Sequence, residues 1–223
     1  MAVEAIGFEP AAVLLDMDGL MLDSERVHQE CWREAAKQLD LDVDDELFMS
    51  LVGLHEDDQH ERLCEQLGPE KADPLIERCD ALFTKRIEAG LPHKPGLVPL
   101  LERLAGAQVT RAVVTSSVCE HAWQKLETAG LRRYFDTVIS GSDIDSPKPA
   151  PDIYRLAAER LGVDPARCIV LEDSEPGVRA ALAAGMHPIQ VPDLVQPDEA
   201  LREMGHRIVE SLEQAGELIT PRL

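Results

Sequence analysis

Asp16-Met17-Asp18-Gly19 sets two carboxylates one residue apart where a short apolar run, Ala11 to Leu15, stops. Leaving an extended chain, such residues project to the same side. One can attack as a nucleophile while its neighbour handles protons, and Gly19 lets the chain turn away at once. The same four residues also suit a turn with two solvated aspartates. Val113-Val114-Thr115-Ser116-Ser117 ends a second apolar run. Hydroxyls and free backbone N–H groups there can hold a phosphate or simply cap the next helix. In Ser146-Pro147-Lys148-Pro149-Ala150-Pro151 the prolines exclude helix until about Pro151. Lys148 therefore stands on a stiff loop, and its ammonium suits a phosphate, a buried carboxylate or open solvent. Leu171-Glu172-Asp173-Ser174 ends another run; adjacent carboxylates suit a hard divalent cation, or a capping loop with solvated acids. Ser174 is placed to cap a helix that begins at Glu175.

The combination narrows these choices. Asp16, Asp18, Glu172 and Asp173 carry four negative charges, and Lys148 is the only cation these motifs set against them. A phosphate could not approach unless a cation joined the site. Mg²⁺ suits it, because Mg²⁺ binds through few carboxylates and substrate phosphate oxygens.

The elements that must position these groups can be read from periodicity. Continuous apolar runs at 11–15, 111–114, 137–139, 168–171 and 188–191 predict buried parallel strands. Helical patterns at 97–105, 118–129, 151–161 and 175–184 lie between them, three of them closed by Gly130, Gly162 and Gly185. The expected fold class is α/β, a Rossmann-like parallel sheet with helices on both faces. Residues 24–93 break the rhythm. Their patterns at 24–39, 44–50, 56–67 and 71–89 are helical and charged, and Pro92 and Pro95-Gly96 close the stretch. The expected organisation is a discontinuous core, 1–22 with 94–223, and an inserted helical cap over 23–93.

The chain has 223 residues and a net charge of −20. That field repels phosphate backbones, so nucleic acid and anionic membranes are poor partners. Any small anionic substrate needs local positive charge. Five cysteines, an odd number without a C-x-x-C, suggest reduced thiols in a cytoplasm. No apolar run approaches the roughly 20 residues of a membrane span, and the start lacks the pattern of a signal peptide. A monomer or weak dimer is expected. His55 and His60, five apart, do not form a helical ligand pair.

The set D-M-D-G, T-S-S, S-P-K-P and L-E-D-S resembles the four motifs of the haloacid dehalogenase-like superfamily, over essentially the whole chain. Asp16 to Glu25 and Lys148 to Asp152 resemble the branch that holds β-phosphoglucomutase and small-metabolite phosphatases. The resemblance implies that Asp16 is a nucleophile that takes the phosphoryl group. It implies that Asp18 protonates the leaving alcohol and then activates water. Thr115 and the Ser116 backbone would hold the transferring phosphate, with Lys148 stabilising its charge. Asp16, the Asp18 carbonyl and Asp173 would bind Mg²⁺, with Glu172 helping directly or through water. An acid at position 18 argues for phosphate-ester chemistry, since the superfamily's dehalogenases and phosphonatases lack one. Ser24 and His28, one helical turn apart, can both face the cleft and resemble the mutase pattern. Glu56, by contrast, stands where that mutase carries an arginine. The expected function is Mg²⁺-dependent hydrolysis of a small phosphorylated metabolite, a sugar or nucleoside monophosphate. The alternatives are a hexose-phosphate mutase, with Arg78 or Lys85 supplying the missing charge, and a binding module on the same fold.

Overall fold

Ala12–Leu15 (β1) is buried at every position, although its side chains alternate between two faces. A strand with both faces covered lies at the centre of a layered α/β structure. In the computed structural model, which describes residues 6–54 and 56–223 apart from the side chains of Glu56 and Pro221, that is its place. Thr110–Val114 (β2) and Cys168–Glu172 (β4) flank it, Leu15 standing opposite Val113 on one side and Leu171 on the other. Val138–Ile139 (β3), His187–Gln190 (β5) and Arg207–Ile208 (β6) complete a six-stranded parallel sheet in the order β3-β2-β1-β4-β5-β6. The sixth strand is absent from the sequence expectation, because Arg207–Ile208, half of it charged, forms no apolar run, whereas the equally short β3 is wholly apolar.

The alternation along each strand builds two cores. Val13, Leu15, Val113, Ile169 and Leu171 pack with Leu97–Gly106 (α5), Cys119–Thr128 (α6) and Leu212–Ile219 (α10). Ala12, Leu14, Ala112, Val114 and Val170 pack on the other face with Asp152–Leu161 (α7) and Glu175–Ala183 (α8). Gly162 ends α7 in the left-handed conformation, φ 65°, and Ser174 caps α8 by accepting from the Gly177 N–H. A short helix, Glu199–Arg202 (α9), precedes β6.

Between β1 and β2 the chain makes Ser24–Gln38 (α1), Asp45–Met49 (α2), Glu56–Leu67 (α3) and Pro69–Ala89 (α4). These four helices share an apolar interior of Trp32, Phe48, Leu63, Leu75 and Cys79. The chain enters and leaves this insertion side by side. Asp23 N–H donates to the Pro92 carbonyl at 2.9 Å and Lys94 N–H to that of Met21 at 2.9 Å. Lys94 bridges Asp23 at 3.4 Å and Asp193 at 2.5 Å, tying this neck to the loop after β5. All five cysteines are free thiols. Among the described residues, no helix is long and apolar enough to cross a membrane.

Candidate active site

The order of chain elements reverses at β1, and in open parallel sheets ligands bind beyond the strand ends at such a point. The residues that follow three adjacent strands converge there. Asp16 follows β1, its N–H donating to Leu171 at 3.0 Å; Thr115 follows β2, its N–H donating to Ile139 at 2.9 Å. Glu172 ends β4.

Lys148 crosses from its proline-stiffened loop into this row. Its Nζ donates to Asp16 Oδ1 at 2.6 Å, Glu172 Oε1 at 2.6 Å and the Val114 carbonyl at 3.3 Å. Of the readings open to this lysine, the structure shows the ammonium on buried carboxylates. Glu172 is fully enclosed. Its Oε1 also accepts from the Tyr154 hydroxyl at 2.8 Å, and its Oε2 from Ser174 Oγ at 2.9 Å and the Asp173 and Ser174 N–H groups. A Cβ on Gly177 would run into this carboxylate, so the glycine is what lets α8 start so close.

Asp18 has a second cation of its own. Lys125 Nζ, on α6, donates to Asp18 Oδ1 at 2.7 Å and to Ser117 Oγ at 3.2 Å, and Ser117 Oγ donates to Asp18 Oδ2 at 2.9 Å. This corrects the expectation that Lys148 alone opposes the acids. Lys125 was missed because its only sequence signal is a position eight residues after Ser117 on a helical face. The T-S-S segment does not cap α6. Val118 stands at the N-cap without a side-chain bond, and Thr115 Oγ1 accepts instead from the Ser117 N–H at 3.1 Å. Ser116 is exposed at the tip of this loop. Gly141 approaches its carbonyl so closely that a Cβ there would collide.

Burial pushes Asp16 up to about 7; Lys148 opposes the rise, and Glu172 and Asp18 add to it. Burial likewise lifts Asp173 far above its ordinary value, with Glu172, Asp16 and Glu25 adding to the effect. For Asp18 burial acts in the same direction, but Lys125 and the hydrogen bonds from Ser117 and Ser24 outweigh it and lower its pKa. Carboxylate oxygens of Asp16, Glu172 and Asp173 lie within 4.8 Å of one another. These acids are short of positive charge, and hard oxygen donors at this spacing fit a divalent cation. Glu172 already accepts five hydrogen bonds, which leaves Asp16 and Asp173 as the less committed donors. Behind them His206 Nε2 donates to Gln190 Oε1 at 2.9 Å, and Gln190 Nε2 donates to the Asp173 carbonyl at 3.1 Å.

The inserted helices contribute differently. Ser24 is buried and takes the Gly19 N–H at 3.2 Å, bracing the turn after Asp18. His28 lies against Phe83 and Trp32, with ring centroids 4.7 and 5.4 Å away. Burial and Lys125 push its pKa down to about 4, against the pull of Asp18, so the ring is neutral. Glu25 is pushed up to about 7 by burial, Asp18 and Asp193. Glu56 begins α3, but its side chain, like His55, lies outside the described residues. Arg78 donates to Gln38 on the exposed surface, and Lys85 is exposed.

A family model described as haloacid dehalogenase-like hydrolase matches residues 10–185. The fructose-1-phosphate phosphatase YqaB of Escherichia coli is 33% identical over 81% of this chain and 96% of its own length. A phosphorylated carbohydrates phosphatase of Thermotoga maritima is 32% identical over 87% of this chain and 91% of its own. A solved structure of a candidate β-phosphoglucomutase from Thermotoga maritima superposes with a TM-score of 0.82 at 28% identity, covering 95% of this chain and 99% of that one.

Proposed function

This chain belongs to the haloacid dehalogenase-like hydrolases, and we propose that it hydrolyses a phosphate monoester of a small carbohydrate, with Asp16 as the nucleophile. The observation that carries this reading is the pairing of buried Asp16 with Lys148 at 2.6 Å, two residues from a separately anchored Asp18. The two similar phosphatases, named for fructose 1-phosphate and phosphorylated carbohydrates, favour a sugar phosphate over a nucleoside monophosphate.

In this mechanism an Asp16 carboxylate oxygen attacks phosphorus, the ester P–O bond breaks, and the leaving alcohol takes a proton from Asp18. Water then attacks the aspartyl phosphate, giving its proton to Asp18, and the acyl P–O bond breaks to free Asp16 and phosphate. Asp18 rests as a carboxylate, so it takes a proton from solvent as substrate binds, and passing that proton to the leaving alcohol restores the carboxylate the second step uses. A dianionic substrate drawing near raises its proton affinity for the first. Thr115 and the Ser116 N–H would hold the phosphate oxygens, and Lys148 would hold Asp16 in line. Positioning and charge stabilisation account for most of phosphoryl-transfer catalysis.

Asp16, Asp173 and the Asp18 carbonyl would hold Mg²⁺, with Glu172 behind them fixing Lys148 and the loop. When bound, Mg²⁺ supplies positive charge to the phosphate oxygens and to the crowded acids. We assign residues 1–22 and 94–223 to a catalytic core and 23–93 to a cap that joins it at the neck of Asp23, Pro92 and Lys94. Ser24 supports the catalytic turn, and His28 lines the cap side.

The test is phosphate release from fructose 1-phosphate and related sugar phosphates in Mg²⁺. Activity is expected with Mg²⁺, loss in EDTA, recovery on adding Mg²⁺ back, and inhibition by excess Ca²⁺. Ca²⁺ tolerates looser geometry and more ligands, so it can occupy both oxygens of Asp16. Full activity after EDTA, with metal analysis showing no bound ion, would refute the metal assignment.

The structural likeness to a candidate β-phosphoglucomutase favours a second reading, a mutase. A mutase must hold a distal dianionic phosphate under the cap. Lys85 is exposed, and Arg78 is half-buried and donates to Gln38, so neither is turned to such a phosphate here. Incubation with β-glucose 1-phosphate and catalytic glucose 1,6-bisphosphate decides. Glucose 6-phosphate formed without matching free phosphate would establish the mutase.

A further inference from the structure

Lys125 is a lysine on a helix face, yet its side chain is only 8% exposed. Burying an ammonium is costly unless it is paired and hydrogen-bonded, and this one is both. Its Nζ meets Asp18 Oδ1 at 2.7 Å and Ser117 Oγ at 3.2 Å, and Ser117 Oγ closes the triangle on Asp18 Oδ2 at 2.9 Å. Both carboxylate oxygens of Asp18 are thus pinned from α6 and from the loop that precedes it. The remaining side of the ammonium faces the inserted helices, 6.0 Å from the Phe83 ring.

We propose that Lys125, with Ser117, is a positioning residue that aims the Asp18 carboxyl group at the leaving oxygen of the substrate. The proposal rests on Asp18 being the group that exchanges a proton with that oxygen. A carboxylate on a turn beside Gly19 has free rotamers and a strong electrostatic reason to swing away from Asp16. Lys125 offsets that repulsion and selects one orientation, and small misplacement of a reacting group can cost about 100-fold in rate. Lys148 does the corresponding work for Asp16, so each carboxylate has its own lysine.

The experiment compares kcat/KM for two substrates, because kcat/KM reports steps up to departure of the leaving group. A sugar phosphate needs its leaving alcohol protonated; p-nitrophenyl phosphate does not. Lys125→Met, with Ser117→Ala as the second variant, should lose about 10–100-fold on the sugar phosphate and less than about threefold on the aryl ester. Asp18→Asn, measured beside them, should show the same selectivity more strongly. An equal loss on both substrates in folded variants, or none, would overturn the proposal. If Asp18→Asn also lacked the selectivity, the role given to Asp18 itself would fall. If Lys125→Met does not fold, Ser117→Ala decides alone.

Discussion

Asp16→Asn keeps the size of the side chain and removes the charge that the proposed attack on phosphorus needs. Turnover should fall below detection, while the circular dichroism spectrum of the folded chain persists. Near-native phosphate release by a folded variant would remove Asp16 from its role. Lys148→Met asks a different question of the same atoms. It leaves Asp16 and Glu172 facing each other without their cation, and breaking one side of a buried ion pair costs about 3–5 kcal/mol. Urea denaturation should show that loss in EDTA, with part of it recovered by Mg²⁺ if the ion binds the same cluster as proposed. No recovery by Mg²⁺ would separate the metal from these carboxylates.

At the scale of elements, the decisive feature is the approach of α8 to the end of β4. Gly177 sits in the first turns of α8, where alanine is the better helix former by roughly 1 kcal/mol. Propensity alone predicts that Gly177→Ala stabilises. The Cβ would meet the Glu172 carboxylate, which is held by Lys148, Tyr154 and Ser174 and cannot move aside cheaply. Overpacking of this kind costs about 1–3 kcal/mol, so the variant should be net destabilised and bind Mg²⁺ more weakly. Thermal unfolding and calorimetric titration would check both. A stabilised variant with unchanged Mg²⁺ affinity would show that α8 can shift, and that the tight approach is not what holds Glu172. The neck is the other decisive element. Two paired linkers and Lys94 connect the inserted helices to the sheet near Asp193, while α4 also packs against α6.

For the molecule as a whole, the net charge of −20 would oppose the arrival of the dianionic sugar phosphate proposed as substrate. Lys148 and Lys125 act only at short range, and both are already paired. Raising monovalent salt from about 10 mM to 150 mM shortens the screening length from roughly 30 Å to 8 Å. At saturating Mg²⁺, kcat/KM should then rise by about threefold, the reverse of a site that steers anions in. A steady fall with salt would mean that local positive charge dominates the approach path.

The strand ends, the acids that cluster beyond them and the helices of the insertion were legible in the sequence because each is encoded within a short stretch of chain. Apolar runs ending in Asp16, Thr115 and Glu172 mark buried strands by local periodicity, and Pro147 to Pro151 mark the stiff loop that carries Lys148. The order of those strands, and therefore which ends touch, depends on pairing between segments far apart in the chain. Lys125 reaches Asp18 across 107 residues, from a helix whose own pattern marks that position only as one lysine among polar residues. Tyr154, inside the helical pattern at 151–161, closes over Glu172 from α7 in the same way, and β6 owes its existence to the edge of β5 rather than to its two residues. Local sequence specifies the chemical groups and the elements that bear them. The tertiary structure decided which cation faces which acid, because charge pairing acts through space and the fold sets that space.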